Sequence, residues 1–382
     1  MRKHLKNNHS QKAPLGIYIH IPFCPKKCAY CDFISHVGSE EEQKLYISAL
    51  LKEIRDFSFA DRRISTIFIG GGTPLQLGSD LLHRLLSFLH ENLYFSDSYE
   101  WTVECNPETV SKEKIGILKT YGVNRVSLGV QSFLDRELQY LGRVHNSEKI
   151  YSSFDILRTL GISNINLDLM IGLPLQQEKA LSFNLNRIQQ LKPEHVSVYI
   201  LGIEKNTELY RKICSGGESE PVEDIQAEHY SFVQNYLQES PLVQYEISNY
   251  CIQARECLHN IRYWENKEVL GFGQGAWSYL SRSRTRNYSE MEKYLKNPGQ
   301  KIEEIKLSFE EQLREDLILG LRLVKGVSIE EFMVNYGVNI YKKYRPLWEK
   351  FRKMGFLLIN DEWIKINPEK FVLSNEIFVE LI

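Results

Sequence analysis

The stretch Tyr18-Ile19-His20-Ile21-Pro22-Phe23-Cys24-Pro25-Lys26-Lys27-Cys28-Ala29-Tyr30-Cys31-Asp32-Phe33 decides how the chain is read. An alternating, β-branched run reads as a strand, and the loop leaving it carries three cysteines at spacings x3 and x2. Turn-prone Pro25-Lys26-Lys27 keeps that loop from being helical and lets the thiolates converge. Three converging thiolates imply a metal centre.

Outward from this loop, strand-like runs alternate with helical patterns as far as about residue 200. The strands are expected at Gly16 to Ile21, Ser65 to Ile69, Glu100 to Cys105, Arg125 to Val130, Asn166 to Ile171 and Val196 to Leu201. Amphipathic helices fall at Glu42 to Phe57, Asp80 to Leu93, Lys112 to Tyr121, Ser147 to Leu160 and Lys179 to Leu191, each long enough for a parallel crossover. Repeated βα units make an α/β fold with a parallel barrel or doubly wound sheet, whose ligands sit at the carboxyl ends of the strands. That rim collects the unusual residues: the cysteines after strand one, Gly70-Gly71-Gly72-Thr73-Pro74 after strand two, Glu104 and Asn106-Pro107, Gln131, and Asp168 ahead of Gly172-Leu173-Pro174.

The bulk properties narrow the function classes. The 382 residues suffice for about two to three domains. A composition 43% hydrophobic and 25% charged is that of a soluble globular protein, and no run reaches the roughly 18 apolar residues of a membrane span. A net charge of -2 and pI near 6.6 give no general reason to bind nucleic acid. The basic start lacks an apolar core and reads as a frayed tail over residues 1–14, so a cytoplasmic protein is expected. Seven cysteines, an odd number, argue against a disulfide framework, and Cys105, Cys214, Cys251 and Cys257 read as buried apolar residues.

Beyond about residue 203 the βα rhythm weakens. A helix is expected near Glu223 to Gln238, a dense patch follows around Leu258-His259-Asn260-Ile261-Arg262-Tyr263-Trp264, and the polar stretch from Arg282 to Glu303 reads as a surface connection. From Phe309 the pattern is helical again, over Leu313 to Leu323, Ser328 to Tyr336 and Ile340 to Met354, before a hairpin turning at Asn360-Asp361. Helices and a hairpin make a small winged-helix-like unit; its Lys342, Lys343, Arg345, Lys350, Arg352 and Lys353 read as a solvated face. The expected division is therefore a tail at 1–14, the α/β body with its extension at 15–305, and the helical unit at 306–382.

Soft thiolates select zinc, copper(I) or iron-sulfur clusters. Structural zinc wants four ligands, whereas here three cysteines stand without a near fourth. A cubane held by three thiolates leaves one iron open to a ligand. Cys-x3-Cys-x2-Cys after strand one, with Tyr30 before the third cysteine, resembles the radical S-adenosylmethionine superfamily. Gly-Gly-Gly-Thr-Pro, Glu104-x-Asn106-Pro107 and Gly129-Val-Gln-Ser-Phe133 resemble its oxygen-independent coproporphyrinogen III oxidase-like branch. The resemblance implies a partial parallel (β/α)6 barrel in which Cys24, Cys28 and Cys31 hold a [4Fe-4S] cluster. The open iron would chelate the methionine end of S-adenosylmethionine, whose reductive cleavage gives a deoxyadenosyl radical. By the same resemblance Tyr18, Tyr30, Gly71, Gly72, Thr73, Glu104, Gln131, Arg143, Asp168 and Gly202 contact that cofactor. Gly71, Gly72 and Thr73 would meet its amine by close backbone approach and Arg143 its carboxylate. His20 is expected to support the cysteine loop rather than to ligate.

Within the branch, the porphyrinogen-decarboxylating enzymes resemble Cys-x3-Cys-x2-Cys-Gly-Cys, whereas here Asp32 and Phe33 follow Cys31. Tyr245-Glu246-Ile247-Ser248-Asn249 and the His259-Asn260-x-x-Tyr263-Trp264 motif instead resemble the shorter haem chaperones. His259, Tyr263 and Trp264 are then expected to contact haem, an imidazole offering an axial ligand and the rings flat faces. His259 and Tyr263 share a face if that segment is helical. The competing readings are His259 as a hydrogen-bonded core residue and Cys257 as the ligand. The resemblance implies haem, acceptor haemoproteins and an electron donor as partners, with the protein in the cytoplasm or peripheral at the inner membrane. The alternative function is coproporphyrinogen III oxidation to protoporphyrinogen IX.

Overall fold

A computed structural model of the chain describes residues 13–59, 62–174 and 176–382, so most of the expected N-terminal tail lies outside the described residues. Six strands follow the expected rhythm: β1 (Leu15–Ile21), β2 (Ile64–Gly71), β3 (Phe95–Cys105), β4 (Arg125–Gln131), β5 (Ile165–Ile171) and β6 (His195–Ile200). Each pairs in parallel with the next. The crossovers are α1 (Glu40–Asp56), α2 (Ser79–Asn92), α3 (Lys112–Thr120), the short α4 (Asp135–Tyr140), α5 (Ser147–Thr159) and α6 (Glu178–Leu191). Ser39, Ser111 and Asn146 start α1, α3 and α5 by accepting an amide of the first turn.

Period-two alternation in these strands runs the opposite way from a solvated sheet. In β4, Val126, Leu128 and Val130 sit in the apolar core, while Arg125, Ser127, Gly129 and Gln131 line a cavity. In β5, Leu167 and Leu169 pack outward while Asn166, Asp168 and Met170 face in. The core therefore lies between sheet and helices, and the concave face is a polar lumen instead of the packed apolar interior of a closed eight-stranded barrel.

After β6 come α7 (Glu208–Cys214), α8 (Glu223–Gln238), β7 (Val243–Gln244), β8 (Asn249–Cys251), α9 (Leu258–Trp264), β9 (Val269–Phe272), β10 (Trp277–Leu280), β11 (Ser283–Asn287), α10 (Met291–Lys296) and β12 (Lys301–Lys306). The sheet has twelve strands in the order β12-β11-β10-β9-β1-β2-β3-β4-β5-β6-β8-β7, so it stays open between β12 and β7. One parallel strand is added beside the expected six, and one expectation is corrected. The chain returns to β1, where β9 adds a further parallel strand. The stretch 282–303 is not a surface connection but antiparallel sheet, with β11 paired to both β10 and β12. Its charged residues hid a strand because every residue of β12 is exposed, leaving no apolar face to read.

Next come α11 (Phe309–Gly320), β13 (Val327–Ser328), α12 (Ile329–Tyr336), α13 (Ile340–Lys343), α14 (Arg345–Lys353), β14 (Leu357–Ile359), β15 (Trp363–Ile366) and α15 (Asn375–Leu381). A three-stranded sheet, β13-β15-β14, carries the hairpin as expected. The helix expected from Ile340 to Met354 is broken in two, because Pro346 in the first turn of α14 cannot continue the preceding helix. The basic residues here are partly paired, Lys343 with Glu310, Lys350 with Glu380 and Arg352 with Glu349.

Candidate functional site

The cysteine loop is fastened from several directions. Cys24 N–H donates to the His36 carbonyl (3.0 Å), and Ala29 donates to Leu141 (3.2 Å) and accepts from Leu209 (2.7 Å). The β2 exit binds it too: the amides of Gly72 and Thr73 donate to the carbonyls of Ile21 and Phe23, both at 2.8 Å. A Cβ on Gly72 would stand 2.7 Å from the Ile21 carbonyl and 2.8 Å from that of Phe23, so glycine is required for this backbone-to-backbone fit. Gly71, at φ +103°, has its own N–H accepted by Glu104 (3.0 Å). With those amides engaged, the segment has carbonyl acceptors to offer a ligand, the right polarity for an ammonium group. His20 bridges Tyr18 (3.0 Å) and the Ile34 carbonyl (2.7 Å), and burial lowers it to about 4, so the neutral ring braces the loop.

The loop opens onto a cavity of about 470 Å³ whose walls include Cys24, Cys28, Cys31, Tyr18, Tyr30 and Gly71 to Thr73, with Glu104, Gln131, Arg143 and Asp168 across the rim. Residues far apart in sequence thus meet as the strand-end rule predicts. Gly202 does not line it; it sits exposed beyond β6. Thr73 Oγ1 donates to Cys24 Sγ (3.6 Å), and Arg143 donates from Nη1 to Cys28 Sγ (3.4 Å). Arg143 is anchored through Nη2 to Asn106 Oδ1 (2.5 Å) and the Gly129 carbonyl (2.8 Å). Burial opposes its charge, but Tyr30, Cys28 and Glu108 together hold it protonated beyond its ordinary value. Burial pushes the Cys24 and Cys31 thiols up, opposed at Cys24 by Thr73 and at Cys31 by the Phe33 amide.

Burial, reinforced by Asp168, pushes Glu104 up to about 7 against the Gly71 amide and the Arg125 charge. Asp168 is raised as well, by burial, although Asn166 donates to Oδ1 (2.8 Å) and Ser127 to Oδ2 (3.2 Å). Gln131 holds the left-handed backbone at φ 66°, which costs a non-glycine residue roughly 1–2 kcal/mol. Its buried Oε1 has no partner in the protein. A strained side chain with an unfilled acceptor on a cavity wall marks a ligand contact.

The thiols line this cavity without converging on one ion: among the described residues no three Cys, His, Asp or Glu side chains could hold a single metal. A cluster, which thiolates reach at separate corners, fits such a wall better than mononuclear zinc. Phe33, at the cavity mouth and 63% exposed, supplies no fourth thiol.

The expected haem contacts His259, Tyr263 and Trp264 do not line this cavity; of their motif only Asn260 does. The segment is helical, as α9, and His259 and Tyr263 do share a face. His259 is 1% exposed, with Nδ1 bonded to Thr66 Oγ1 (2.9 Å) and Nε2 to the Tyr263 hydroxyl (3.3 Å). Burial, then Arg262 and Arg125, lowers it to about 3. Trp264 lies under Arg322, 4.6 Å from its centroid, and faces a separate cleft beside Phe332 and Tyr336. Cys257 is buried with its thiol on Glu100 (3.6 Å).

Sequence reasoning passed over Arg125 and Phe68, and it noted Asn106 and Asn260 only as motif residues, without a place in this cavity. Asn106 holds both Arg143 and Thr73, and Arg125 stands 2% exposed on the cavity floor. Phe68 and Asn260 also line the cavity. The legible signal for Arg125 was the polar alternation of β4, Arg125-x-Ser127-x-Gly129-x-Gln131; nothing local marks Phe68.

Comparisons with known proteins agree with this geometry. Residues 18–183 match the model of the radical SAM superfamily, and residues 307–371 that of the HemN C-terminal domain. The structure of coproporphyrinogen III oxidase (HemN) from Escherichia coli superposes with a TM-score of 0.85 over 96% of this chain and 90% of its own, at 23% identity, which establishes a shared fold. The heme chaperone HemW of Bacillus subtilis is 36% identical over 94% of this chain and 97% of its own. That of Lactococcus lactis is 35% identical over 96% of each. Matched nearly end to end by such relatives, the chain belongs to the heme chaperone HemW family, within the radical SAM superfamily.

Proposed function

We propose that the protein binds a [4Fe-4S] cluster through Cys24, Cys28 and Cys31, S-adenosylmethionine beside it, and haem at α9, and passes the haem to acceptor haemoproteins. The observation that carries this reading is that the three thiols and Asn260 of the His-Asn-x-x-Tyr-Trp helix line one cavity, with His259 packed just behind it against Phe68. Kinship with proteins named heme chaperone supports the cargo.

When bound and reduced, a cluster with one iron free of thiolate supplies an electron to the sulfonium it faces. The chain's part is positioning. Arg143, permanently charged, presents a planar donor fork suited to a carboxylate while steadying Cys28. Carbonyls of the Gly71 to Thr73 turn suit an ammonium. Asp168, Glu104 and Gln131 offer acceptors for hydroxyl and amino groups, with Tyr18 and Tyr30 on the same wall, whereas Gly202, exposed beyond β6, lies outside this lining. At α9, burial keeps His259 neutral, the form that ligates iron, and Tyr263 flanks it, while Trp264 presents its ring to the neighbouring cleft.

Delivery needs an electron donor for the cluster and an acceptor haemoprotein, reached from the cytoplasm or from a peripheral position on the inner membrane. Among the described residues no helix is long and apolar enough to cross a membrane.

The second reading, oxidation of coproporphyrinogen III, draws on the fold shared with HemN. Phe33 stands against it where the oxidase pattern has a cysteine. Anaerobic incubation of the reconstituted protein with coproporphyrinogen III, reductant and S-adenosylmethionine separates the two. No protoporphyrinogen is expected; catalytic formation of it would overturn the carrier reading.

A further inference from the structure

Consecutive residues of α9, projecting roughly 100° apart, serve adjacent faces of that helix. His259 turns into a buried pocket closed by Thr66 and Tyr263, whereas Asn260 faces the cofactor cavity. Two strands tie these sides together. On β2, Thr66 holds His259 Nδ1, and Phe68, two residues on and therefore on the same face, lines the cavity. The Phe68 ring stacks on His259 at 5.3 Å and packs against Tyr18 at 6.4 Å. On β3, Glu100 accepts the amides of Leu258 (2.9 Å) and His259 (3.0 Å), fixing the first turn of α9. Glu104, four residues along the same face, lines the cavity and accepts the Gly71 amide.

We propose that α9 is a shared wall that makes the two ligands antagonistic, with Asn260 as its contact on the cofactor side. The inference rests on the reading of this cavity as the S-adenosylmethionine site and of His259 as the haem ligand. Neither His259 nitrogen is free, so iron can reach Nε2 only if Tyr263 withdraws and the first turn of α9 shifts against Phe68 and Glu100. A close-packed wall cannot make that shift while leaving Asn260 in place. Asn260, whose carboxamide both donates and accepts, then loses its contact with the polar part of the cofactor. S-adenosylmethionine, by holding Asn260, closes the haem side. Filling the cavity thus becomes a signal to release haem.

Linkage makes the effect reciprocal: the factor by which S-adenosylmethionine weakens haem binding equals the factor by which haem weakens S-adenosylmethionine binding, typically about 5–150-fold. The test is equilibrium titration of the cluster-loaded protein with haem, with and without saturating S-adenosylmethionine, and the converse titration. Each ligand is expected to weaken the other at least about fivefold by matching factors. In Asn260→Ala the factor should fall towards one. Phe68→Leu should lower the factor independently, with cluster iron unchanged. A wild-type factor of one, mutual strengthening, or an Asn260→Ala variant that keeps the full factor overturns the inference and leaves the haem reading standing. Absence of any haem binding overturns both.

Discussion

The cavity rim and the α9 wall carry the two halves of the proposed chemistry and are built by opposite rules. At the rim, Gln131 Oε1 has no partner in the protein, and Glu104 and Asp168, although hydrogen-bonded, sit raised in pKa by their burial. At α9, His259 is fully satisfied by Thr66 and Tyr263, and Glu100 takes the helix amides. The rim is preorganised for a resident ligand, whereas the wall is closed over its candidate ligand atom and must open. A cofactor retained through many encounters suits the first arrangement, and a cargo taken up and surrendered suits the second.

The contrast is broken most severely at the loop. Cys24→Ala should leave essentially no cluster iron or sulfide after anaerobic reconstitution, because two thiolates remain for a cubane that three hold. Cooperative unfolding should persist, since the core lies on the other side of the sheet. Retention of a full cluster would show that another residue supplies the ligand.

A smaller effect probes the cost of the rim. Glu104 has a folded pKa of about 7 against an ordinary 4.5, so the folded state holds its proton longer than the unfolded one, and stability falls as pH rises between these values. Glu104→Gln lacks that loss. The unfolding free energy of the variant relative to wild type should rise between pH 5 and pH 8 by up to about 3 kcal/mol, measured by urea denaturation. A difference independent of pH would mean that Glu104 is not held under strain.

Smallest is the effect of unlocking the wall. Tyr263→Phe removes the hydroxyl that covers His259 Nε2, a hydrogen bond of net worth about 1 kcal/mol, so haem should bind roughly fivefold tighter. Weaker binding would make the hydroxyl itself a haem contact.

How much of this was legible follows from the same physics. The six parallel strands and the rim could be read because period-two runs and strand-end chemistry are local signals. Gly72 could be noticed, but its role could not: the turn's closest neighbours, the carbonyls of Ile21 and Phe23, lie at the end of β1 and the start of the cysteine loop some fifty residues earlier. β12 escaped notice because an exposed edge has no apolar periodicity, and β11 because its Ser283-Arg-Thr-Arg-Asn287 run is polar throughout. Arg125 and Phe68 gain meaning only once curvature turns the inward faces of β2 and β4 towards one lumen. α9 was readable as a helix carrying a motif, yet the closure of His259 depends on Thr66, nearly two hundred residues away.

The most direct test of the account is transfer of haem from the cluster-loaded protein to an apo-haemoprotein, followed by the acceptor's absorbance. The account predicts that haem pre-bound to the protein appears on the acceptor, that the transfer fails when His259→Ala is substituted, and that S-adenosylmethionine accelerates release. Haem that stays on the protein with every acceptor offered, or transfer that is indifferent to His259, would contradict it.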